Sequence, residues 1–347
     1  MATPNQLMVT APETLPTPIL FKIEGMEPDT QLQVFHQTFL VHSSALKLHS
    51  TYFRKFLDSP DKPTTFTGKY WYSWVTKLDG NGPEWSLVSD HTMEPGVEEN
   101  LSGFSGDKRA AGKGFHAFLC AIYNRPYAVE STVELQALAN HGDYYMAMPA
   151  VSATVFAAVR KSGSFVRTLP GSASKVIVIA AKMRNEELFR ECLVYLINPW
   201  VSPRYTSLED PAILHSAKLA YNQLCARVSK AQEALVLVAN AHPVRVMDGA
   251  TWEHAVGGLL FRGASGFIIN GRILLPKFFR TIYAAITANG HPQAREIENI
   301  LKPLFKNNLV LTGAHAIAGE DVYQDSFLCV EIEDVDLPWD VTEEPQY

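Results

Sequence analysis

Between Asp29 and Leu57 the apolar residues change period, and a chain that does so must pass from strand to helix. Leu32 and Val34 share one parity, Phe39 and Val41 share the other, and the polar pair His36–Gln37 stands between them. That spacing predicts two short antiparallel strands joined at a corner. After His42, the residues Leu46, Phe53, Phe56 and Leu57 fall on helical faces, so the strands feed directly into helix.

Composition narrows the class. A length of 347 residues points to about two domains. With 47% hydrophobic and 19% charged residues the chain has the apolar surface to build a core. The 30 Lys and Arg against 36 Asp and Glu give a net charge of −6 with no basic stripe, which argues against nucleic acid as the main partner. Cys120, Cys192, Cys225 and Cys329 stand far apart with no CxxC pair, so no metal, cofactor or disulfide framework is expected. The uncharged run Tyr144 to Val159 contains Pro149 and is shorter than the roughly 20 apolar residues a bilayer needs, so no membrane partner is expected either. Residues 1–18, rich in Pro and Thr, lack the basic start and apolar core of a signal peptide and read as a flexible arm on an intracellular protein.

The segment from Asp29 resembles the opening of the BTB/POZ family, whose pattern runs D-V-x-L-x-V, a corner, then F-x-V-H-x-x-x-L-x-x-x-S-x-x-F-R-x-x-F. Asp29, Leu32, Val34, Phe39, Val41, His42, Leu46, Ser50, Tyr52, Phe53 and Arg54 occupy the matching positions without a gap. Further on, the stripe Phe115, Phe118, Leu119, Ile122, Tyr123 and the group Glu134, Leu135, Leu138, Ala139, Asp143 resemble two later helices of the same family. The resemblance implies an α+β fold in which a BTB/POZ domain over 19–160 is followed by a mainly α-helical C-terminal domain over 165–333 and an acidic tail over 334–347. It implies a non-enzymatic protein-interaction scaffold in the cytoplasm or nucleus, pairing with itself or with other proteins.

The family also bears on single positions. Many members pair an acidic residue on the first strand with a basic one after the corner histidine, forming a charged pocket at the dimer face. Here Asp29 keeps the acid but Ser43 replaces the base, so Asp29 is expected to stay hydrated or turn to Lys47. Cullin-binding members carry a hydrophobic-x-Glu motif after the Phe-Arg helix, whereas this chain reads Phe56-Leu57-Asp58-Ser59-Pro60-Asp61. An adaptor of a cullin-type ubiquitin ligase is therefore the alternative reading, with a transcription-associated regulator behind it.

An insert over 59–113 interrupts the family pattern. Within it Lys69–Leu78 and Glu84–Ser89 are aromatic and β-branched runs separated by Asp79-Gly-Asn-Gly-Pro83, a hairpin signal. This aromatic hairpin, with Asp143–Ala150, resembles fungal-type BTB proteins. Its rings Tyr70, Trp71, Tyr72 and Trp74 are candidate hot spots, unless they pack on the insert's own sheet. The glycine-rich stretch from Val88 to Gly114 reads as a surface loop. Interaction candidates are thus Asp29, Leu32, Val34, His42, Ser43, Phe53, Tyr70, Trp71 and Trp74.

Beyond Gly163 the pattern is helical, with two helices meeting near Arg184–Asn185 and stopping at Asn198-Pro199. From Pro211 to Asn240 the residues Leu214, Ala217, Tyr221, Leu224, Val228, Ala231, Leu235 and Val238 form a seam, read as the core face of a helix in preference to a coiled coil. Phe267–Leu275 offers an Asn-Gly hairpin, Pro276–Gly290 and Gln293–Phe305 two more helices, and Ser326–Glu333 a strand. The last stretch from Glu331, with seven acids and no Lys or Arg, reads as a solvated tail with one apolar anchor at Leu337-Pro-Trp339.

Catalytic motifs fail on spacing. Gly106-Asp-Lys-Arg-Ala-Ala-Gly112-Lys113-Gly114 has five residues between its first two glycines and no Ser or Thr after the lysine, so it is not a phosphate loop. Gly103-Phe-Ser-Gly106 and Gly263-Ala-Ser-Gly266 each miss the hydrolase elbow by one residue. His36, His42 and His49 would be scattered by strand and helix geometry, and His42 is expected to hydrogen-bond at the corner. An enzyme built from His215, His242, Asp248 and His254 is the remaining reading from another class.

Overall fold

The computed structural model describes residues 16–58, 69–80, 82–90, 101–241, 267–269, 271–288, 294–306, 309–311, 326–329 and 331–342. The chain is mixed α+β and divides into two compact units, one made of residues within 1–127 and 137–151, the other of residues within 128–136 and 152–346.

In the first unit, β1 (Ile19–Leu20), β2 (Thr30–Val34), β3 (Gln37–Val41), β4 (Tyr72–Leu78) and β5 (Trp85–Ser89) form one sheet in the order β1-β3-β2-β4-β5. β2 and β3 are antiparallel with Leu32 opposite Phe39, and β4 runs parallel to β2 with Thr30 opposite Tyr72. Alternation puts Thr30, Leu32, Val34, Phe39 and Val41 on the buried side. The corner falls at Phe35–His36, one residue earlier than the polar pair indicates. Burial overrides polarity there: Phe35 takes a φ of 52°, with its ring between Trp85 at 5.4 Å and Phe104 at 4.6 Å and its N–H donated to Thr76 Oγ1. A bulky residue with positive φ costs on the order of 1 kcal/mol, which burying a phenyl ring exceeds.

Helix follows as the periodicity requires, in two short pieces, α1 (Ser43–His49) and α2 (Thr51–Leu57). Ser50 makes the break. Its backbone is extended, and its hydroxyl accepts the Phe53 N–H at 3.0 Å while donating to Tyr145 O at 2.5 Å. The helix α3 (Lys108–Ile122) begins seven residues before Phe115, inside the stretch expected to be loop. Asp107 caps it, accepting from Arg109 N and Ala110 N at 2.8 and 3.2 Å, and this cap with the apolar stripe beyond it outweighs the weak helix propensity of Gly112 and Gly114. Then come α4 (Thr132–Tyr144) and α5 (Met148–Arg160), each contributing to both units.

The second unit contains α6 (Gly163–Met183) and α7 (Glu186–Ile197), joined at Arg184–Asn185 as expected, with Arg184 left-handed and Asn185 capping α7 through Leu188 N at 3.0 Å. The long α8 (Pro211–Ala241) buries Ile213, Ala217, Ala220, Leu224, Val228, Ala231 and Leu235. Its core stripe therefore lies one residue off the expected seam at Leu214 and Tyr221, while the core-facing reading holds. β6 (Ile268–Ile269) and β7 (Arg272–Ile273) form the Asn-Gly hairpin, with Gly271 at φ 74°, a conformation that glycine adopts freely. α9 (Leu275–Ala288) and α10 (Ala294–Phe305) follow.

Two expectations fail at the C-terminal end. The segment 326–333 makes no strand among its described residues, because Leu328 and Cys329 are both buried and pair with Asn198 and Leu304. The acidic stretch is not simply solvated: Asp336 and Leu337 are buried and Trp339 packs edge-on against Phe189 at 5.2 Å. Among the described residues no helix is long and apolar enough to cross a membrane.

Candidate functional site

The start of α1 carries a polar lock. His42, its N-cap, gives no side-chain cap, and Asp29 supplies one from fourteen residues upstream. The Asp29 carboxylate accepts the Ser43 N–H at 2.7 Å, the Ser43 hydroxyl at 2.5 Å and the Thr30 hydroxyl at 2.9 Å. An anion at a helix N-terminus is stabilised by the exposed N–H groups and the dipole. Serine rather than a cation therefore answers this carboxylate. Lys47, the expected alternative partner, goes instead to Asp58 at 2.5 Å and Tyr72 Oη at 3.3 Å.

His42 does hydrogen-bond at the corner. Its backbone N–H donates to Tyr123 Oη at 2.7 Å, its Nδ1 lies 3.1 Å from the same oxygen, and its Nε2 lies 3.3 Å from Met26 O. A carbonyl only accepts, so Nε2 carries the hydrogen and Tyr123 donates to Nδ1. Burial pushes the Tyr123 phenol up to about 12, and the hydroxyl stays a donor throughout the physiological range. His36 and His49 are exposed, unlike the buried His42. Among the described residues no three His, Cys, Asp or Glu side chains stand together as ligands for a metal.

Beneath the lock lies a core of rings. Phe53 stacks on Tyr145 at 5.1 Å with planes 4° apart, and Phe115 and Phe118 close on Tyr145 at 5.7 and 5.2 Å. His141 joins this cluster, and burial lowers its pKa to about 4. Leu32, Val34 and Phe53 are wholly enclosed in it and in the sheet above, so they hold the unit together and offer no surface to a partner. The aromatic hairpin splits the same way: Trp74 is 4% exposed, Tyr70 half-buried, and Trp71 67% exposed.

Sequence reasoning missed the outward face of α2. Phe56, 40% exposed, packs on the half-buried Tyr52 at 4.5 Å, and Tyr144, 49% exposed, meets Tyr52 at 5.6 Å. Met146, half exposed, is tied beside them through its carbonyl, which accepts the Thr51 N–H. The signal was the i, i+4 pair Tyr52 and Phe56, each one position before the buried Phe53 and Leu57, repeated by Tyr144 beside the buried Tyr145.

One cleft of about 760 Å³ opens at the β2–β3 corner. His36 and Gln37 line it on one side, and Lys108, Arg109 and Lys113, on the first turns of α3, line it on the other. The glycines of the rejected phosphate-loop motif lie in this capped helix start, where Asp107 already occupies the N-terminal donors. Of the residues weighed for an enzyme, His215 is exposed on α8, while His242, Asp248 and His254 lie outside the described residues. Comparison of the chain with protein-family models, with curated proteins and with solved structures finds no match.

Proposed function

We propose that the first unit is an interaction domain of the BTB/POZ type, that the chain works as a non-enzymatic intracellular scaffold, and that its first partner is a second copy of itself. The observation that carries this reading is the apolar outer face on α2, where Phe56, Tyr144 and Met146 stand exposed around Tyr52. Clustered exposed rings on a soluble fold mark a surface that another chain covers. The order of elements supports it too: a hairpin, two short helices, and a strand returning parallel to the first, in line with the motif that begins at Asp29.

Mixing tagged and untagged chains tests the proposal. Untagged chain should be recovered on the tag, and Phe56→Asp combined with Tyr144→Asp should weaken that recovery by about tenfold or more. A single species of monomer mass in sedimentation at micromolar concentration would sink self-association. Stoichiometric recovery of a cullin from cell extract would shift the reading to a ligase adaptor.

A further inference from the structure

The acidic segment 331–342 forms a strap on the helices α7 and α8. Arg190 of α7 donates from Nε to Ile332 O at 3.1 Å and from Nη2 to the Asp334 carboxylate, and Gln223 of α8 donates to Asp336 at 2.9 Å. Beyond them Leu337 is buried and Trp339 meets the edge of Phe189. One cation, one amide and one ring thus read a run of acids followed by Leu-Pro-Trp.

Three of the strap's backbone N–H groups are satisfied within it. Asp336 N–H goes to Glu333 O, Leu337 N–H to Asp334 O, and the Asp336 carboxylate returns to Glu333 N. This self-contained turn is attached to the helices by side chains. The neighbouring coil 326–329 differs, since Leu328 is bonded through both its N–H and its carbonyl to Asn198, and Cys329 N–H reaches Leu304 O. A space of about 670 Å³ opens beside the strap, lined by Ala212, Ser216 and Leu219 of α8 and by residues of the strap. Nor would release strand the cation, because Arg190 keeps Glu186, one turn earlier, at 3.0 Å.

We propose that the wall of α7 and α8 is a docking site for acidic linear segments that carry a tryptophan, held in this structure by the chain's own residues 331–342 and exchangeable for the same kind of segment from another molecule. The inference stands apart from the reading of the first unit.

The test uses the full chain and a fluorescent peptide with the sequence of residues 331–342. In the variant Asp334→Asn with Trp339→Ala the strap is weakened while its wall is untouched, so the peptide should bind it saturably and about tenfold or more tighter than it binds the natural chain. Adding Arg190→Gln should reduce that binding, and a scrambled peptide should not bind. Equal binding to variant and natural chain, with the variant's helix content intact, overturns the proposal. Should the variant not fold, hydrogen exchange on the natural chain decides. Amides of Glu333, Asp336 and Leu337 exchanging well ahead of those in α7 support a strap that lifts, and exchange in step with α7 overturns it.

Discussion

The two units hold their chain by different means. The first encloses rings: Phe53, Phe115, Phe118, Tyr145 and His141 touch one another, and the elements that carry them are set by local period and by caps such as Asp107 and Ser50. The second encloses aliphatic helix faces and then ties irregular backbone to them by buried polar side chains. Glu191 accepts from Val310 N and Leu311 N, at 2.7 and 3.2 Å, and Asn198 brackets Leu328. A ring core resists loss of volume, whereas a polar clasp resists loss of one specific acceptor. The contrast predicts which substitutions each unit tolerates.

The largest effect should come from Phe53→Ala, which empties a site where the ring is wholly enclosed and stacked on Tyr145. A loss of about 3–5 kcal/mol is expected in urea unfolding. A loss below about 1 kcal/mol would show that the ring cluster is not the element that holds the first unit. Next, Asn198→Ala leaves the buried N–H and carbonyl of Leu328 without their partner, and about 2–3 kcal/mol should disappear although little volume is lost. Asn198→Leu, which restores bulk but no acceptor, should do no better, and rescue by leucine would refute the clasp.

Acid and base sharpen the comparison, since the two units carry shifts of opposite sense. Burial raises Glu191 to about 7, against the pull of its two backbone donors. The unfolded chain ionises this group near 4.5, so its stabilising effect is complete below that pH and is lost as pH rises through 7, on the order of 2–3 kcal/mol over the window. His141 runs the other way. With its pKa lowered to about 4, its contribution is present above 6.5 and is lost as pH falls through 4. Melting temperature against pH should therefore lose its slope between 4.5 and 7 in Glu191→Gln, and its slope between 6.5 and 4 in His141→Phe. An unchanged profile in either variant removes that group from the account.

The smallest effect should be Asp29→Ala, at about 1–2 kcal/mol, the usual cost of losing a side-chain cap at a helix start. Asp29→Asn keeps one acceptor and should retain most of the stability. If the two substitutions are equally damaging, charge rather than capping is what the position requires.

The same contrast explains what was legible beforehand. In the first unit the paired strands after Asp29, the passage into helix after His42 and the hairpin over 72–89 follow from period and turn chemistry within a few residues, and they were readable. The corner at Phe35 and the start of α3 at Lys108 were not, since one is decided by rings brought from residues 85 and 104 and the other by a single capping carboxylate. In the second unit the helices and the apolar anchor at Leu337-Pro-Trp339 were legible, but the coil at 326–329 was expected as a strand and the acids of the strap as solvated. Their conformation is dictated by Asn198, Arg190 and Gln223, more than a hundred residues away, which no local pattern reports. The candidate surface was half legible. His42 took its expected place, while Phe56 and Tyr144 emerge as a face only when the buried neighbours on the same helices are known.

The hydroxyl of Ser50 has a bearing on the order of assembly. It begins α2 and at the same moment grips Tyr145, ninety-five positions further along the chain. Seven residues are too few to stay helical in water by themselves. So α2 waits for a long loop to close, and the rings of Tyr52 and Phe56 are mounted on one of the last pieces to set during folding.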